Sequence, residues 1–468
     1  MATHSDGILI APNGNGHVDA NVNGNLASNP VKRLPVEFYQ DFLSLAAKIR
    51  RPSPIRGLFP LENRPGVISL LAGKPNDAMF PFTSFNFSVK SPTDPSQEIP
   101  ITLEGNDLAL GLQYGATAGL PRLVEWFTGL QGRSHNRQKG EGWRLSVGGG
   151  SQDMIYKAVI ALVNPGDPIL VESPVYAGVL PMFESLKCDQ IEVETDANGI
   201  RSDSLRSILE SWPATKPKPK VLYTVPYGCN PTGMTASVSR RREVLALARE
   251  HNFLILEDDP YYYLYFGKTE RPPSYFQLEL EQPEVGRVLR FDSFSKIISA
   301  GIRIGFVSGP APFVDAIDLH TGTANLQGSH LAQAITLALL EKWGYENFFA
   351  HTSAVAAFYK QKRDVFEKAL STHLAGLAEW STPEAGMFVW FKLLLNPDGD
   401  ASAEGDSEDL IRTKAYEGGV LALPGTVFLP NGRKTAYVRA SFSLSTEEQV
   451  NEALKRLRNV ILKERSAV

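Results

Sequence analysis

Amphipathic helical segments and short apolar runs alternate along most of the chain. Apolar positions recur at helical spacing in GLPRLVEWFTGL (119–130), and Ser237 stands as an N-terminal cap before a second helical segment that ends near residue 251. Continuous apolar runs lie between such helices: PILVE, KVLYTV, FLILE and RVLRF. Runs of this kind are typical of strands that are buried on both faces. The pattern therefore predicts a mainly parallel sheet in an α/β domain.

The pattern changes after about residue 345. A helical stretch, FFAHTSAVAAFYKQKRDVFEKAL, is followed by the strand-like segments MFVWFKL and YVRASFSL and by a closing helix, EEQVNEALKRLRNVILK. This α+β pattern predicts a second, smaller domain over residues 345–468. We expect the preceding chain to divide into a disordered tail (1–35), a segment that packs with the small domain and the active site (36–85) and a large domain (86–344).

Composition narrows the classes of function. The 468 residues carry a formal charge of −4 with a pI near 6.1, so no basic field attracts nucleic acid or anionic membranes. Because Cys188 and Cys229 are the only cysteines, the chain lacks a disulfide framework and the repeated Cys/His spacing of zinc sites. We therefore expect a soluble protein that acts on small molecules, holds no metal and binds neither nucleic acid nor membranes.

The N-terminal thirty residues are rich in Asn and Gly and contain neither Lys nor Arg. This composition predicts disorder. It differs from an Arg-rich mitochondrial presequence and from a secretory signal, and the chain has no run of roughly 18 apolar residues. We expect a cytoplasmic protein. A second polar segment, 396–409, is acidic and rich in Gly and Ser, which predicts a surface loop.

Residues that suit a phosphorylated aldehyde cofactor follow the run RVLRF. The segment DSFSKIISAGIRIGF (292–306) contains Ser293, Ser295, Lys296 and Arg303. By itself such a lysine is more often a solvated side chain. The hydroxyls and the guanidinium are donors suited to a phosphate. A lysine amine beside them is what a pyridoxal 5′-phosphate (PLP) enzyme needs, because the amine forms the imine while the phosphate anchors the ring.

Two aspartates and three tyrosines follow the run FLILE, in EDDPYYY. Taken alone, this segment reads as a polar turn before an aromatic edge strand. PLP chemistry, however, needs a carboxylate against the pyridine nitrogen. We predict that Asp259 fills this role and that Tyr262 hydrogen-bonds the phenolic oxygen of the cofactor. Asp258 is then expected to face solvent or to cap a turn.

Two further segments end predicted strands with polar residues. In VPYGCNPTG (225–233), which by itself is also an ordinary turn, Asn230 is placed to donate to the same phenolic oxygen. In SVGGGSQ (146–152), three glycines lead into a helix whose first residues, Ser151 and Gln152, are candidates for the phosphate site. The segment also fits a flexible loop with a serine cap. Tyr176 in SPVYAG either stacks on the pyridine ring or packs as an ordinary aromatic residue.

The order GGGSQ, SPVYAG, NPTG, EDDPYY, SFSK and GIRIG resembles the class I aminotransferases of the fold-type-I PLP enzymes. Within them it is most similar to the fungal aromatic and 2-aminoadipate aminotransferases and the mammalian kynurenine/2-aminoadipate enzymes. The likeness extends from PSPIR near residue 52 to RASFS near residue 439. It implies PLP as cofactor, a large domain with a mainly parallel seven-stranded sheet between helices, a smaller α+β domain, and a homodimer with shared active sites.

The resemblance also implies roles for single residues. Lys296 would be the catalytic Schiff-base lysine, Asp259 would pair with the ring nitrogen, and Tyr176 would lie over the ring. Tyr114 in QYGATAG resembles a tyrosine that contacts the cofactor phosphate in the active site of the partner subunit. Asn230 and Tyr262 would bind the phenolic oxygen. The implied phosphate site consists of Ser151, Gln152, Ser293, Ser295 and Arg303.

Substrate binding is implied at two arginines and one glycine. Arg439 in YVRASFS matches the residue that clamps the α-carboxylate, and Arg56 in PSPIRGLF matches an N-terminal arginine that meets substrate. Gly73 lies in LLAGKPN, where Lys74 departs from the AGG often present in the family. Because this loop lies beside the substrate in relatives, the substrate specificity stays open. Taken from the sequence alone, each of the two arginines also fits a solvated position on the surface.

The implied reaction moves the amino group of an aromatic amino acid (Phe, Tyr or Trp), of kynurenine or of 2-aminoadipate to a 2-oxo acid such as 2-oxoglutarate. Lys296 would act as the general base. An aminotransferase of fungal secondary metabolism remains open, as does another fold-type-I PLP enzyme, such as a lyase or decarboxylase. A transcription regulator would need a basic winged-helix domain before the PLP domain, and the acidic, unpatterned first thirty residues do not provide one.

The position of the lysine is directly testable. Borohydride reduction of the yellow purified protein is expected to fix the cofactor on Lys296, because this lysine alone combines neighbouring serines and an arginine placed for phosphate. Peptide mass spectrometry locates the reduced adduct. An adduct on any other lysine would remove the basis of the cofactor assignment.

Overall fold

Three sheets organise the part of the chain that the structure describes. A computed structural model describes residues 31–55, 58, 61–62, 64–71, 73–396 and 405–466. Numbered along the chain, its strands are β1 (Ser84–Lys90), β2 (Glu98–Glu104), β3 (Trp143–Gly148), β4 (Pro168–Ser173), β5 (Asp189–Asp196), β6 (Gly199–Ile200), β7 (Val221–Thr224), β8 (Leu254–Asp259), β9 (Val288–Ser293), β10 (Gly305–Pro310), β11 (Ala378–Trp380), β12 (Phe388–Leu393), β13 (Leu423–Pro424) and β14 (Tyr437–Ser441).

Helices cover the sheets and connect their strands. In chain order they are α1 (Val36–Gln40), α2 (Leu45–Ile49), α3 (Gly105–Leu112), α4 (Pro121–His135), α5 (Ser151–Leu162), α6 (Leu180–Ser185), α7 (Ser202–Glu210), α8 (Val238–Glu250), α9 (Tyr275–Leu278), α10 (Ala311–Ala324), α11 (His330–His373), α12 (Ser407–Asp409) and α13 (Glu447–Arg465). Short 3₁₀ turns and the π-helical turn Leu410–Ala415 complete the set. Among the described residues, no helix has the length and apolar character needed to cross a membrane.

The central sheet has the strand order β3-β10-β9-β8-β7-β4-β5-β6. Strands β5, β4, β7, β8 and β9 pair in parallel, and β10 runs antiparallel to both β9 and β3. The prediction of a mainly parallel α/β sheet is therefore confirmed. The sheet has eight strands where the family resemblance implied seven, because the chain turns back after β5 and pairs the two residues of β6 with it.

The direction of these strands fixes where a ligand can bind. Since β3 has the same direction as β9, the carboxyl ends of β3, β4, β7, β8 and β9 lie along one edge of the sheet. The antiparallel strand β10 begins at this edge. Open α/β sheets bind ligands at that edge, where loops replace the regular strand pairing. The motifs GGGSQ, SPVYAG, NPTG, EDDPYY and SFSK lie at these strand ends, and GIRIG leads into β10.

The apolar residues separate into two main cores within the compact unit Lys32–Val468. The larger core surrounds the central sheet and includes Phe348, whereas Phe366 and Leu370, further along α11, belong to the core of the sheet β11-β12-β14-β13. Shortly before Phe348, α11 changes direction at Gly344, whose φ of 68° is a conformation that favours glycine. The two cores agree with a large and a small domain, and the boundary near residue 345 stays a prediction.

Two predicted polar segments lie partly outside the described residues. The tail predicted over residues 1–35 is described only from residue 31, and residues 397–404 of the acidic segment are likewise outside the description. The first part of the segment 36–85 forms the short helices α1 and α2. Ser44 at the start of α2 accepts a hydrogen bond from the Ala47 N–H, which supports that helix start.

Core packing beneath the SFSK segment is expected to set the stability of the large core. Phe127 is 0% exposed and its ring lies 5.0 Å from that of Phe294 and 4.4 Å from that of Phe306. Phe127→Ala should lower the free energy of unfolding by about 3–5 kcal/mol, because it leaves a cavity in a close-packed region. Phe358, which is 49% exposed, provides the matched control. Denaturant unfolding measures both, and equal losses for the two would contradict the assignment of the core.

Candidate active site

The edge of the central sheet collects the predicted motifs. The triple glycine follows β3, the SPVY segment follows β4, the NPTG segment follows β7, the DPYY segment follows β8, and the FSK segment follows β9. These segments are far apart in sequence, yet the parallel pairing of their strands brings them to one place.

The start of α5 forms a cradle for an anion. Gly150, with a φ of 103°, is the N-cap of this 12-residue helix, and no side chain caps the helix start. A Cβ at Gly150 would clash with the Arg303 guanidinium, and one at Gly305 would clash with the Ser151 N–H. Glycine at both positions therefore permits a close approach of backbone and guanidinium. Uncapped N–H groups at a helix start attract a phosphate.

Arg303 joins the two halves of this cradle. Its Nη2 donates to the Gly149 carbonyl over 2.8 Å and its Nη1 donates to Ser295 Oγ over 3.2 Å. The Ser295 N–H in turn donates to Ser293 Oγ over 3.2 Å. The structure therefore brings together four predicted phosphate residues, Ser151, Ser293, Ser295 and Arg303. A guanidinium, hydroxyls and helix N–H groups form a donor set suited to a dianion.

Gln152 has a different position from the one expected. Its Nε2 donates to the Gly178 carbonyl over 2.7 Å, which connects the start of α5 to the loop after β4. The side chain is thus occupied by backbone, and only its N–H belongs to the helix start. The loop that it holds carries Tyr176.

Lys296 lies half-buried in the turn after β9. Burial lowers the pKa of Lys296, and the nearby charge of Arg303 lowers it further. A lower pKa raises the fraction of neutral amine, the form that attacks an aldehyde and accepts a proton. The backbone of this turn is held from α11, where His351 Nε2 lies 2.6 Å from the Ile297 carbonyl oxygen.

Arg439 lies at the other end of the region, on β14. Its Nη1 donates to Asn230 Oδ1 over 2.9 Å, and its guanidinium carbon lies 4.3 Å from the Phe388 ring and 5.3 Å from the Phe428 ring. Its Nε is buried without a partner. Burial lowers the pKa of Arg439, so the cation gains from an anionic ligand. Because the amide oxygen of Asn230 accepts from Arg439, its NH₂ group remains the donor toward the site.

The two adjacent aspartates of β8 point to opposite faces of the sheet. Side chains alternate along a strand, and the register pairs Glu257 with Arg290 and Asp259 with Asp292 on β9. Arg290 Nη1 lies 2.7 Å from Asp259 Oδ2 and its Nη2 lies 2.8 Å from Asp292 Oδ1. Burial raises the pKa of Asp259, whereas Arg290 lowers it. On this face Asp259 acts as a counter-ion of a buried arginine.

Asp258 points to the face that carries the other candidate residues. It is 3% exposed, so the expectation that it faces solvent is wrong. Its Oδ2 accepts a hydrogen bond of 2.6 Å from the Tyr223 hydroxyl, and its Oδ1 is buried without a partner. Burial raises the pKa of Asp258 to about 7. The charges of Asp258 and Arg439 both act on the phenols of Tyr176 and Tyr261.

Tyr262 lies on the same side of the sheet as Asp259 and Arg290, away from the group around Arg439. Its hydroxyl donates to the Ser134 carbonyl over 2.8 Å, and its ring lies under Arg271 at 3.8 Å and near Arg290 at 4.9 Å. The preceding residue, Tyr261, has its ring against Phe388 instead. The structure therefore separates the predicted pair Asp259 and Tyr262 from the group around Arg439 and places Asp258 and Tyr261 there.

The remaining predicted residues lie at the periphery. Tyr114 is 51% exposed. Gly73 is exposed, and a Cβ built on it meets no atom within 4 Å. Arg56 lies outside the described residues. Within the described part of the chain, neither Tyr114 nor Gly73 hydrogen-bonds to Lys296 or Arg439.

Sequence reasoning missed Asp258, Tyr261 and Tyr223 as members of this group. One signal was present, because residues two apart in a strand share a face. The segment LEDD places Glu257 with Asp259, and the arginine in RVLRF offers them a buried partner. That signal needs the register between β8 and β9, which the sequence does not provide.

The model of the aminotransferases of class I and II matches residues 102–457. The chain belongs to this family. It is 42% identical to aminotransferase tdiD of Emericella nidulans over 88% of this chain and 93% of that protein. It is 38% identical to the mitochondrial kynurenine/alpha-aminoadipate aminotransferase of Mus musculus over 90% of this chain and 99% of that protein. The crystal structure of the aromatic aminotransferase Aro9 from C. albicans matches with a TM-score of 0.80 and 26% identity, over 92% of this chain and 98% of that one.

This aminotransferase therefore uses pyridoxal 5′-phosphate as its cofactor and small amino and 2-oxo acids as substrates. The predicted fold class, enzyme class and cofactor are confirmed. The roles of the individual residues remain proposals, and the geometry of the two aspartates decides how they are tested.

Asp258→Asn and Asp259→Asn are nearly isosteric and should have different effects. Asp258→Asn should lower kcat by about 100-fold or more, the loss observed when a preorganised charged contact to the reacting system is removed, and should leave the free energy of unfolding near the wild-type value. Asp259→Asn should lower the free energy of unfolding by about 3–5 kcal/mol, because it removes a partner of buried Arg290.

Steady-state kinetics and denaturant unfolding of both variants separate these outcomes. A severe catalytic loss in a fully stable Asp259→Asn variant, with Asp258→Asn near wild type, would return the role at the ring to Asp259.

Proposed function

We propose that this aminotransferase moves the amino group of an aromatic amino acid (Phe, Tyr or Trp), of kynurenine or of 2-aminoadipate to a 2-oxo acid such as 2-oxoglutarate. The observation that carries the proposal is the group formed by Asp258, Tyr261, Tyr176, Asn230 and Arg439 at the edge of the central sheet. The names of the relatives, which specify aromatic amino acids, kynurenine and alpha-aminoadipate, support the choice of substrates.

The described residues fit the cofactor at both of its ends. At one end the glycine-permitted cradle at the start of α5 meets Arg303 and the serine hydroxyls, a donor set for the phosphate. At the other end Asp258 offers a buried carboxylate oxygen that has no hydrogen-bond partner among the described residues. Pyridoxal phosphate supplies an electron-accepting ring that stabilises the charge left on the substrate Cα when a proton is removed.

Asp258 and Tyr261 take the roles that the sequence suggested for Asp259 and Tyr262. Both aspartates have an Oδ1 without a hydrogen-bond partner among the described residues. We assign Asp258 to the pyridine nitrogen because its charge acts on Tyr176 and Tyr261 at the site, while Asp259 is paired with buried Arg290 on the opposite face. Tyr261 and the NH₂ group of Asn230 are the donors for the phenolic oxygen. Two donors stabilise the deprotonated form of the phenolic oxygen and therefore lower its pKa.

Lys296 and Tyr176 act on the reacting atoms. Lys296 would hold the cofactor through its amine Nζ, and the same amine, when free, would remove the proton from the substrate Cα as a general base. Its half-buried position and lowered pKa favour the neutral amine that this step needs. Tyr176, on the loop held by Gln152, covers the ring face.

Substrate recognition starts with the α-carboxylate that every donor and acceptor shares. Arg439 binds it through its two-pronged guanidinium, which Asn230 and the rings of Phe388 and Phe428 hold in place. The distal group of the substrate is assigned to the segment around Gly73 and to Arg56, whose side chain would pair with a second carboxylate and withdraw for an aromatic ring.

We further propose a cytoplasmic homodimer with shared active sites. Tyr114 is 51% exposed and Leu110 is 45% exposed on the adjacent helix α3, which suits residues that contact a second copy and its phosphate site. The molar mass of the purified protein, measured by light scattering, tests whether it is a dimer. Because the mammalian relatives are named mitochondrial, a fluorescent fusion in the native host determines the compartment.

A donor panel with Phe, Tyr, Trp, kynurenine and 2-aminoadipate against 2-oxoglutarate tests the reaction. We expect glutamate to form in equal amount to the 2-oxo acid of the donor, with aromatic donors among the best. Product formation that does not depend on 2-oxoglutarate would indicate a lyase or decarboxylase. Activity that is poor with the whole panel and restored by an unusual aromatic donor would favour the second candidate, an aminotransferase of a specialised pathway.

Arg439→Ala tests the carboxylate clamp. The KM of donor and of 2-oxoglutarate should both rise about 10- to 100-fold, the loss of a hydrogen-bonded charge pair of about 1.5–3 kcal/mol, because both substrates use the same guanidinium. Arg433→Ala is the matched control, since Arg433 lies on the neighbouring loop and pairs with Glu192. An increase confined to one substrate would show that Arg439 does not bind the shared carboxylate.

A further inference from the structure

Tyr223 is a buried tyrosine with no assigned role in the reaction. It lies on β7, next to β8, and is 0% exposed. Its ring lies 6.2 Å from that of Phe183 at an angle of 69°, so packing holds it in place. Its hydroxyl donates to Asp258 Oδ2 over 2.6 Å. This bond joins the two strands at the level of the candidate active site.

We infer that Tyr223 is a positioning residue for the carboxylate that meets the ring nitrogen of the cofactor. The inference rests on the proposed role of Asp258. A carboxylate has two oxygens and one rotatable bond to orient them. Because Tyr223 binds Oδ2, the second oxygen, Oδ1, is left buried without a hydrogen-bond partner among the described residues. The charge of this carboxylate acts on Tyr176 and Tyr261 of the candidate site.

The charge of Asp258 also depends on this hydrogen bond. The carboxylate is buried, and Glu172 on β4 and Asp292 on β9 add negative charge near it, which disfavours its ionised form. The Tyr223 hydroxyl and the charge of Arg290 act in the opposite direction. Burial raises the pKa of Tyr223 well above its usual value, so the phenol stays a donor. A hydrogen bond to the carboxylate makes it a weaker base, which leaves the shared proton on the pyridine nitrogen.

Tyr223→Phe removes the hydroxyl and keeps the ring in its packed position. In the full-length holoenzyme, we expect PLP to dissociate about ten-fold faster, the lower end of the effect of a hydrogen bond to a charged group. We also expect kcat to fall while the KM of both substrates stays within about two-fold, because Arg439 is untouched. The visible absorption bands of the bound cofactor, which follow its protonation state, should change in ratio at constant pH.

Tyr227→Phe is the matched control. Tyr227 is also 0% exposed, but its hydroxyl donates to the Pro272 carbonyl, away from Asp258. This variant should keep the spectrum and the PLP dissociation rate of the wild type. If both phenylalanine variants change the spectrum and the rate equally, the effect arises from general loosening of the core, and the inference is overturned.

A double-mutant cycle separates this inference from the proposed role of Asp258. When Tyr223 acts through Asp258, Tyr223→Phe has no further effect on spectrum or PLP dissociation in the Asp258→Asn background. If Asp258→Asn impairs both and Tyr223→Phe alone changes neither, the positioning role fails and the proposed function stands. If Asp258→Asn itself changes neither, the assignment of Asp258 fails and the inference fails with it.

Discussion

The buried guanidinium of Arg290 is the interaction on which the arrangement of the site depends. A fully buried cation must be paired, since an uncompensated charge in the core costs several kcal/mol. Arg290 contacts Asp259 and Asp292 at 2.7 and 2.8 Å and lies 3.5 Å from Glu257. Because Arg290 must be paired, the side chains of Glu257, Asp259 and Asp292 all lie on its face of β8 and β9. Alternation along β8 then turns Asp258 to the opposite face, where the candidate active site lies.

The sheet therefore divides its polar residues into two sets with different purposes. On the Arg290 face the buried guanidinium is paired with Asp259 and Asp292, which contributes to the stability of the fold. On the other face one oxygen of Asp258 has no hydrogen-bond partner among the described residues, and the same holds for the Nε of Arg439, which reaches this region from β14. Groups that are buried and incompletely paired are costly in a core, and they are found where a ligand completes them. The same strands thus supply a stable interior and a site prepared for binding.

Backbone geometry contributes as much as side-chain chemistry at the phosphate end. Glycines at 150 and 305 permit an approach between the start of α5, the start of β10 and Arg303 that a Cβ would prevent. The guanidinium and the helix N–H groups thereby converge on one point. At the other end the arginine of β14 comes from the second sheet and hydrogen-bonds Asn230 of the NPTG segment.

The sequence by itself determined the fold class, the family and the loops that form the site. Apolar runs that end in glycine-rich or polar motifs identify parallel strands and their carboxyl ends, because both features are local in the chain. It also singled out Lys296, Arg303, Asn230 and Arg439 as site candidates, each within a distinctive motif, and their roles stay predictions. The choice between Asp258 and Asp259, and between Tyr261 and Tyr262, was decided only by the tertiary structure. Adjacent residues of a strand differ only in the face to which they point, and that face is defined by neighbouring strands. The partners of the two aspartates, Arg290 and Tyr223, lie 31 and 35 residues away.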